Sequence, residues 1–337
     1  MTQKGVRILF HGEGDSIRGT GHLVRALGMA SDLSRVAPQG WRVEVWTNNQ
    51  VLADRIAKDW SDLSIPLAPH YELKSISDQL WTEGQKSRFI ESVCAVPRAL
   101  ATEILISDNK YTFTEADIEK LYSRFQCLLF VDNISALSLE LDGVLFPNDY
   151  AHFESKTTPV LTGPSWHWMN PSLDFLRQMP IQNYDFSIFM GGADPTNLTA
   201  VALEDVFVKK RNARVLILTG PAFRHSQQIL EKVANYPEMK IDLMPSSGFF
   251  LKNLCQAETC LVAFGLSSIE LEQVGKKVVL YAHHEEHLGD AQRYLLAQPR
   301  PSILRDQWLQ GGDPKASPRQ PRPPVGQMLF EFLEQKT

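Results

Sequence analysis

Short runs of strand-forming apolar residues alternate with longer helix-like stretches, and this alternation occurs twice along the chain. In the first half, strands read at 6–10, 41–47, 103–107, 127–131 and 141–146, with helices at 21–36, 51–60 and 115–125. In the second half, strands read at 184–190, 214–219, 239–244, 259–264 and 277–281. Helices read there at 197–209, 225–235, 248–257, from 265 to 274, and at 287–297. Strands that are apolar at nearly every position are buried on both faces. That burial calls for a parallel sheet covered by its own crossover helices. The pattern predicts an α/β protein with two Rossmann-like, doubly wound parallel-sheet domains facing across a cleft, in which ligands meet the carboxyl ends of the strands.

A length of 337 residues suits two cores better than one. The expected organisation is an N-terminal domain over 1–165, a linker over 166–180 and a C-terminal nucleotide-binding domain over 181–310. A flexible Pro/Arg-rich segment over 311–324 and a terminal helix over 325–337 that docks back on the body complete it. The linker region carries Pro164, Trp166, Trp168 and Pro171 within a few residues.

The net charge is −5, from 34 basic against 39 acidic residues, so no basic field invites nucleic acid. An anionic ligand must be held by local devices such as helix N-termini. The cysteines Cys94, Cys127, Cys255 and Cys260 lie in or beside apolar runs, at spacings that match no metal or redox pattern. Reduced core cysteines fit a cytoplasmic protein. The first apolar run is too short for a signal peptide, and no run reaches the roughly 18 residues of a membrane span. Monomer and homodimer are both compatible with the sequence.

Residues suited to chemistry follow the strands. After the first comes Gly19-Thr20-Gly21-His22-Leu23-Val24-Arg25, at the opening of a helix. Glycines allow close backbone approach. The helix N-terminus attracts anions and disfavours an imidazolium, which suits a histidine acting as a base. His22 as a cap or an interdomain contact is the plainer alternative. Gly191-Gly192-Ala193-Asp194-Pro195-Thr196-Asn197 follows the strand that opens the second half. It reads as a diphosphate-facing loop or as an ordinary turn, with Asp194, Thr196 or Asn197 capping the next helix. Gly265-Leu266-Ser267-Ser268-Ile269-Glu270 offers amides and hydroxyls for phosphate and a carboxylate for ribose, or a plain N-cap at Ser267. His283-His284-Glu285-Glu286-His287 and Asp290 follow the strand at 277–281, mostly in a loop, and their spacing matches no zinc motif. Neither a metal nor an organic cofactor is expected. Asp108 and Asp132 end strands, and both are expected at a cleft rim.

Together these strings resemble the GT-B nucleotide-sugar family. More narrowly, they are similar to the UDP-2,4-diacetamido-2,4,6-trideoxy-β-L-altropyranose hydrolases of pseudaminic acid biosynthesis and to spore-coat polysaccharide glycosyltransferase-like proteins. The resemblance runs over residues 5–300, with its closest match at 190–199. It implies that His22 is the base that activates water. It also implies that Ser267, Ser268 and Glu270 hold phosphate and ribose, with Gly191, Gly192, Asp194, Asn197 and Gly265 beside them. Gly19, Gly21, Arg25, Asp108, Tyr111, Asp132, His287 and Asp290 would then line the sugar or acceptor side. This chain departs from the pattern at His11-Gly12-Glu13, at Tyr111, which comes one residue late, at Asn133 in place of an aspartate, and at Leu266 in place of a glycine. The expected activity is metal-independent hydrolysis of a nucleotide sugar, with UDP the leading nucleotide. An inverting glycosyltransferase and a non-catalytic nucleotide-sugar binder are the alternatives. A nicotinamide dehydrogenase is disfavoured, because neither opening strand leads into Gly-x-Gly-x-x-Gly.

Overall fold

The computed structural model describes residues 5–14, 21–54, 56, 73–75, 82–147, 153–163, 166, 168, 176, 183–220, 223–246, 250–297, 302–315 and 325–337. The chain divides into two units, one formed by Met1–Met169 with Arg322–Thr337 and the other by Asn170–Pro321. The helix expected over 325–337 therefore belongs to the first unit.

Unit 1 is built on β1 (Val6–Gly12), β2 (Trp41–Thr47), β3 (Leu73–Ser75), β4 (Thr102–Asp108), β5 (Cys127–Val131), β6 (Gly143–Phe146) and β7 (Val160–Thr162). They form one sheet in the order β3-β2-β1-β4-β5-β6-β7. Every pairing is parallel, and β1 aligns with β4 from Val6 opposite Thr102 to Gly12 opposite Asp108. The helices are α1 (Gly21–Val36), α2 (Glu83–Ala95) and α3 (Glu115–Tyr122), with a 3-10 turn at Ile134–Ser138 and helical residues at 50–54 and 56. β1, β4 and β5 are buried from end to end or nearly so, as their unbroken apolar runs require. One apolar cluster joins Leu105, Leu128 and Phe130 of the sheet to Phe89, Ile90 and Val93 of α2 and Ile118 and Leu121 of α3.

Unit 2 repeats the plan. Its strands are β8 (Tyr184–Phe189), β9 (Arg214–Thr219), β10 (Lys240–Pro245), β11 (Ala257–Ala263), β12 (Lys277–Tyr281) and β13 (Ile303–Leu304), in the order β10-β9-β8-β11-β12-β13. All of its pairings are parallel. Its helices are α4 (Leu198–Lys209), α5 (Ser226–Ala234), α6 (Phe250–Leu254), α7 (Leu266–Gln273), α8 (Glu285–Ala297) and α9 (Arg305–Leu309). The chain ends with α10 (Val325–Glu334). Ile188, Val215, Ile217, Leu261 and Val279 of the sheet pack with Ala202, Leu203 and Val206 of α4 in the core.

Several boundaries differ from the sequence reading. The helix expected over 248–257 is confined to Phe250–Leu254, because β11 already begins at Ala257. α8 starts at Glu285, two residues before the helix read from 287, so Glu285 and Glu286 sit in a helix and not in a loop. Glu285 and Glu286 in the first turn favour that early start through the helix dipole. Most of the linker over 166–180, Gly19, the latter part of the expected 51–60 helix and most of the Pro/Arg-rich segment lie outside the described residues. No described helix is long and apolar enough to cross a membrane.

Candidate active site

In each unit the strand order reverses its direction of growth once, between β1 and β4 in unit 1 and between β8 and β11 in unit 2. At such a switch point the loops leaving the two strands diverge to opposite faces and open a crevice at the strands' carboxyl ends. Of the residues singled out from the sequence, His22, Arg25 and Asp108 follow β1 and β4, and those at 191–197 and 265–270 follow β8 and β11, whereas Asp132 follows β5, and His287 and Asp290 lie in the helix after β12.

In unit 1, Gly12 lets α1 start close against the end of β1. A Cβ at Gly12 would stand 2.5 Å from the Ala26 Cβ and 2.8 Å from the His22 carbonyl oxygen. This close approach sets the first turn of α1 beside the end of β4. There, His22 Nδ1 lies 2.6 Å from Asp108 Oδ1. Arg25, three residues along the same helix, grips the same carboxylate at both oxygens, Nε to Oδ2 at 2.5 Å and Nη2 to Oδ1 at 2.8 Å. Arg25 Nη2 also reaches Asp132 Oδ2 at 3.2 Å. Lys110 closes the far side of Asp132, 2.9 Å from Oδ2 and 2.6 Å from the carbonyl oxygen. Asp132 holds a left-handed backbone conformation, with φ of 54°. Asp108 is 2% exposed at its side chain and His22 15%, so the carboxylate is buried while the imidazole keeps an open edge.

The electrostatics follow from this geometry. Burial alone would raise the Asp108 carboxyl, but the Arg25 guanidinium and the His22 ring outweigh it and hold it well below the usual carboxylate range. Asp132 is likewise held low against its burial, by Lys110 first and then Arg25. Burial pulls the Arg25 guanidinium down, and the two carboxylates together drive it up further. An ionised Asp108 accepts hydrogen bonds only, so its contact with His22 fixes the ring proton on Nδ1. In a neutral ring Nε2 then carries the lone pair, which is the form a general base needs.

The two departures at the end of β1 turn out to be internal. His11 and Glu13 are 0% and 2% exposed. His11 Nδ1 meets Ser107 Oγ at 2.9 Å, and Tyr111 donates its hydroxyl to Glu13 Oε1 at 2.8 Å. Asn109 donates to Ser107 Oγ at 2.6 Å and accepts from the Tyr111 amide at 3.0 Å. Asn133 donates to Asn109 Oδ1 at 3.2 Å and to the Tyr111 carbonyl at 2.9 Å. A closed polar layer thus lies just behind Asp108 and Asp132. Tyr111, expected on the sugar side, is a core residue at 2% exposure, packed between Phe89 and Phe113. Asp108, expected at a rim, is the buried partner of His22 and Arg25. Neither pairing is visible in a sequence that separates His22 from Asp108 by 86 positions.

In unit 2, Asp194 is the cap of α4. Its carboxylate accepts the amides of Leu198 at 2.7 Å and Thr199 at 2.9 Å. Those amides are therefore occupied, and the α4 N-terminus is not open to a diphosphate in the way the sequence suggested. Asn197 instead reaches Gln228 Oε1 at 2.8 Å. At α7, Gly265 has φ of 143°, which an L side chain rarely adopts. Ser268 Oγ accepts from the Gly265 amide at 3.1 Å and donates to the Gly265 carbonyl at 2.7 Å, so Ser268 closes the loop on itself. The amides of Leu266 and Ser267 are the first two of α7 and have no acceptor within the helix. Ser267 is half-buried, whereas Ser268 and Glu270 are buried. Gly191 turns the chain after β8 with φ of 87°. Asp290 pairs with Arg293 one turn on.

No family model matches the sequence, and no curated protein sequence matches it. Solved structures do match. UDP-GlcNAc 2-epimerase of Methanocaldococcus jannaschii, in complex with UDP-GlcNAc and UDP, superposes with a TM-score of 0.59 at 10% identity, over 98% of this chain and 99% of that one. UGT2 of Phytolacca americana, complexed with UDP-2fluoro-glucose and pterostilbene, gives 0.55 at 11% identity, over 90% and 86%. MurG of Acinetobacter baumannii gives 0.52 at 14%, over 89% and 85%. The fold is GT-B. Identities this low carry the fold alone. The GT-B fold accounts for the repeated doubly wound plan and for a terminal helix that returns to the first unit.

Proposed function

We propose that this GT-B protein hydrolyses a nucleotide sugar, with UDP as the nucleotide, and that His22 is the base. The observation that carries the reading is the His22–Asp108 pair at the switch point of unit 1. Unit 2 holds the nucleotide, with the Leu266 and Ser267 amides and the Ser267 hydroxyl directed to the diphosphate and Glu270 to the ribose. The resemblance read from the sequence, and UDP or UDP-sugars named in similar structures, support that division.

In the reaction, His22 Nε2 takes a proton from water as the water oxygen bonds to the anomeric carbon. The bond from that carbon to the diphosphate oxygen breaks, and the electron pair leaves with UDP. Charge grows on the diphosphate, where fixed amide dipoles stabilise it without reorganisation. The new charge on the His22 imidazolium is met at 2.6 Å by Asp108. No step in this scheme draws on a metal. A sugar hydroxyl in place of water makes the same machinery an inverting glycosyltransferase. The glycosyltransferase of Phytolacca americana with both a sugar donor and pterostilbene bound favours keeping that second reading.

The test is nucleotide release from UDP-, GDP-, CMP- and dTDP-sugars, with and without candidate hydroxyl acceptors. Release of UDP in water alone supports the hydrolase, and release that depends on an acceptor supports the transferase. His22→Ala is expected to lower kcat about 10²- to 10⁴-fold, the range for losing a general base. Asp108→Asn is expected to lower it at least about tenfold with little change in KM, since it removes charge from behind the imidazolium. Unchanged turnover in His22→Ala sinks the assignment of the base.

A further inference from the structure

Three strand-end loops of unit 2 are tied to one another through histidine rings, and one of the ties, through His287, works in only one protonation state. His283 follows β12. Its Nε2 lies 3.2 Å from the carbonyl oxygen of Met190, at the end of β8, and its Nδ1 lies 2.8 Å from Thr196 Oγ1 in the same loop. His287, in the first turn of α8, has Nε2 2.8 Å from the carbonyl oxygen of Phe264, at the end of β11, while its Nδ1 accepts the His283 amide at 3.2 Å. His284 Nδ1 in turn accepts the His287 amide at 3.2 Å. The rings of His283 and His287 stack at 5.7 Å with 12° between their planes.

A carbonyl oxygen only accepts and a backbone amide only donates, so the tautomers follow. His287 must carry its proton on Nε2 and keep Nδ1 bare. His283 must likewise carry a proton on Nε2; its Nδ1 accepts from the Thr196 hydroxyl in the neutral ring and donates to the same oxygen in the charged one, so the His283 ties survive protonation. A second proton on His287 Nδ1 would face the His283 N–H at 3.2 Å, donor against donor. It would also bring a cation up to a parallel imidazole.

We propose that His283 and His287 are positioning residues that hold the loops at 190–197, 264–268 and 283–287 together only while the His287 ring is neutral, and that acidification releases these loops. Of the groups around the pair, the carboxylates favour the charged rings, and burial with the neighbouring rings opposes them. From the β8 side comes Asp194, whose Oδ1 is 3.9 Å from His283 Nδ1. That carboxylate already accepts two amides of α4. From the turn before α8 comes His284 and from α8 Asp290, and from the β11 side, among the described residues, the Phe264 carbonyl and ring. Burial pulls both imidazoles below the ordinary histidine range, and the neighbouring rings add to that effect. A folded-state value below the unfolded one means that the stabilisation is complete above the unfolded value, near pH 6.5, and is lost as pH falls through the folded value. Resting on the function proposed above, the consequence is that nucleotide affinity weakens on acidification, because the loop at 264–268 carries the groups assigned to the diphosphate.

The experiment has two arms. In the first, long-range proton–nitrogen spectra of the ligand-free protein at pH 7.5 report the tautomers, and amide exchange, corrected for its intrinsic pH dependence, reports the loops from pH 7.5 to 5.5. His287 is expected as the neutral Nε2–H tautomer, with exchange at 190–197 and 264–268 rising by up to about tenfold per pH unit as pH falls from near 6.5 toward its folded-state value. In His287→Gln, which keeps the donor to Phe264 but does not titrate, the rise is expected to shrink severalfold. A charged His287 or its Nδ1–H tautomer at pH 7.5, or flat exchange, overturns the proposal. In the second arm, calorimetry measures UDP affinity over the same pH range. A fall of about tenfold or more in the parent protein, flattened in His287→Gln, supports the link to the nucleotide. An affinity that rises on acidification overturns that link, because the rings would then be cationic ligands of the diphosphate. If UDP fails to bind at any pH, the assigned function fails, and the first arm still decides the fate of the lock.

Discussion

Asp108 is asked to do two things at once. It orients His22 and it neutralises Arg25, using both oxygens for the arginine and one of them again for the histidine. Among the described residues of the cluster, the cations Arg25 and Lys110 balance the anions Asp108 and Asp132. His22 and Arg25 were legible as a string, and the two aspartates as strand ends. Their convergence was not, because it depends on the register of β1 against β4. Asn133 is explained by the same layer. Its Nδ2 faces two carbonyl oxygens, those of the Asn109 side chain and the Tyr111 backbone. An aspartate at this position, as the resembled family has, would aim a carboxylate at two acceptors in a site only 2% exposed. Asn133→Asp is expected to destabilise unit 1 by roughly 2–4 kcal/mol at pH 8, the scale of a buried unsatisfied or charged group. The introduced carboxyl has its folded-state value raised, so the loss should shrink as pH falls toward 5 and the group takes up a proton. Denaturant titrations at the two pH values measure this, and equal stability to the parent protein at pH 8 refutes it.

At the scale of elements, the sequence is most readable where strands are apolar throughout. β2, β5, β9 and β12 begin and end as read, and α1 does too. α2 was missed because its buried face includes Gln85 and Lys86 alongside Phe89, Ile90 and Val93. Lys86 is admitted to that face by ion pairs of 2.8 Å to both Glu83 and Asp117 and by a hydrogen bond to the Thr112 carbonyl. A charge satisfied from another helix leaves no trace in the local hydrophobic pattern. β7 and β13 are only three and two residues long, too short for periodicity to register. Capping was ambiguous in another way, since Asp194, Thr196 and Asn197 all suit the role. The fold resolves this in favour of Asp194, which holds φ of 45° to bring both oxygens onto α4. Asp194→Ala removes both acceptors and is expected to cost about 1–2 kcal/mol in unit 2, the upper range for a helix cap. Thermal unfolding monitored by a probe in unit 2 tests this. No shift would mean that another group, such as Thr196, takes over the cap.

At the scale of the whole chain, unit 1 is completed only after unit 2 has been traversed. Its last element, α10, packs against α1, and Gly326 permits the approach, since a Cβ there would stand 2.3 Å from the Asp32 carbonyl carbon. Val325, Leu329 and Leu333 are at most 1% exposed. Phe332 adds an edge contact to Trp166, and Phe330 a tilted one to Trp41. The seam also desolvates Asp32 on α1, whose carboxyl is pushed up to about 6 by burial, against the pull of Arg35. Burying one Val and two Leu side chains contributes about 1.5–3 kcal/mol each. Their sum is comparable to the roughly 5–15 kcal/mol that keeps a typical domain folded. Ending the chain at residue 324 is therefore expected to unfold or severely loosen unit 1 while unit 2, closed within Asn170–Pro321, keeps its own transition. Differential scanning calorimetry should then show the loss or a large downward shift of one component only. Adding back a synthetic 325–337 peptide should restore it in a concentration-dependent way. A truncated chain that melts like the parent protein would show that α10 decorates unit 1 without completing its core. Equal losses in both transitions would show that the two units share a single cooperative core.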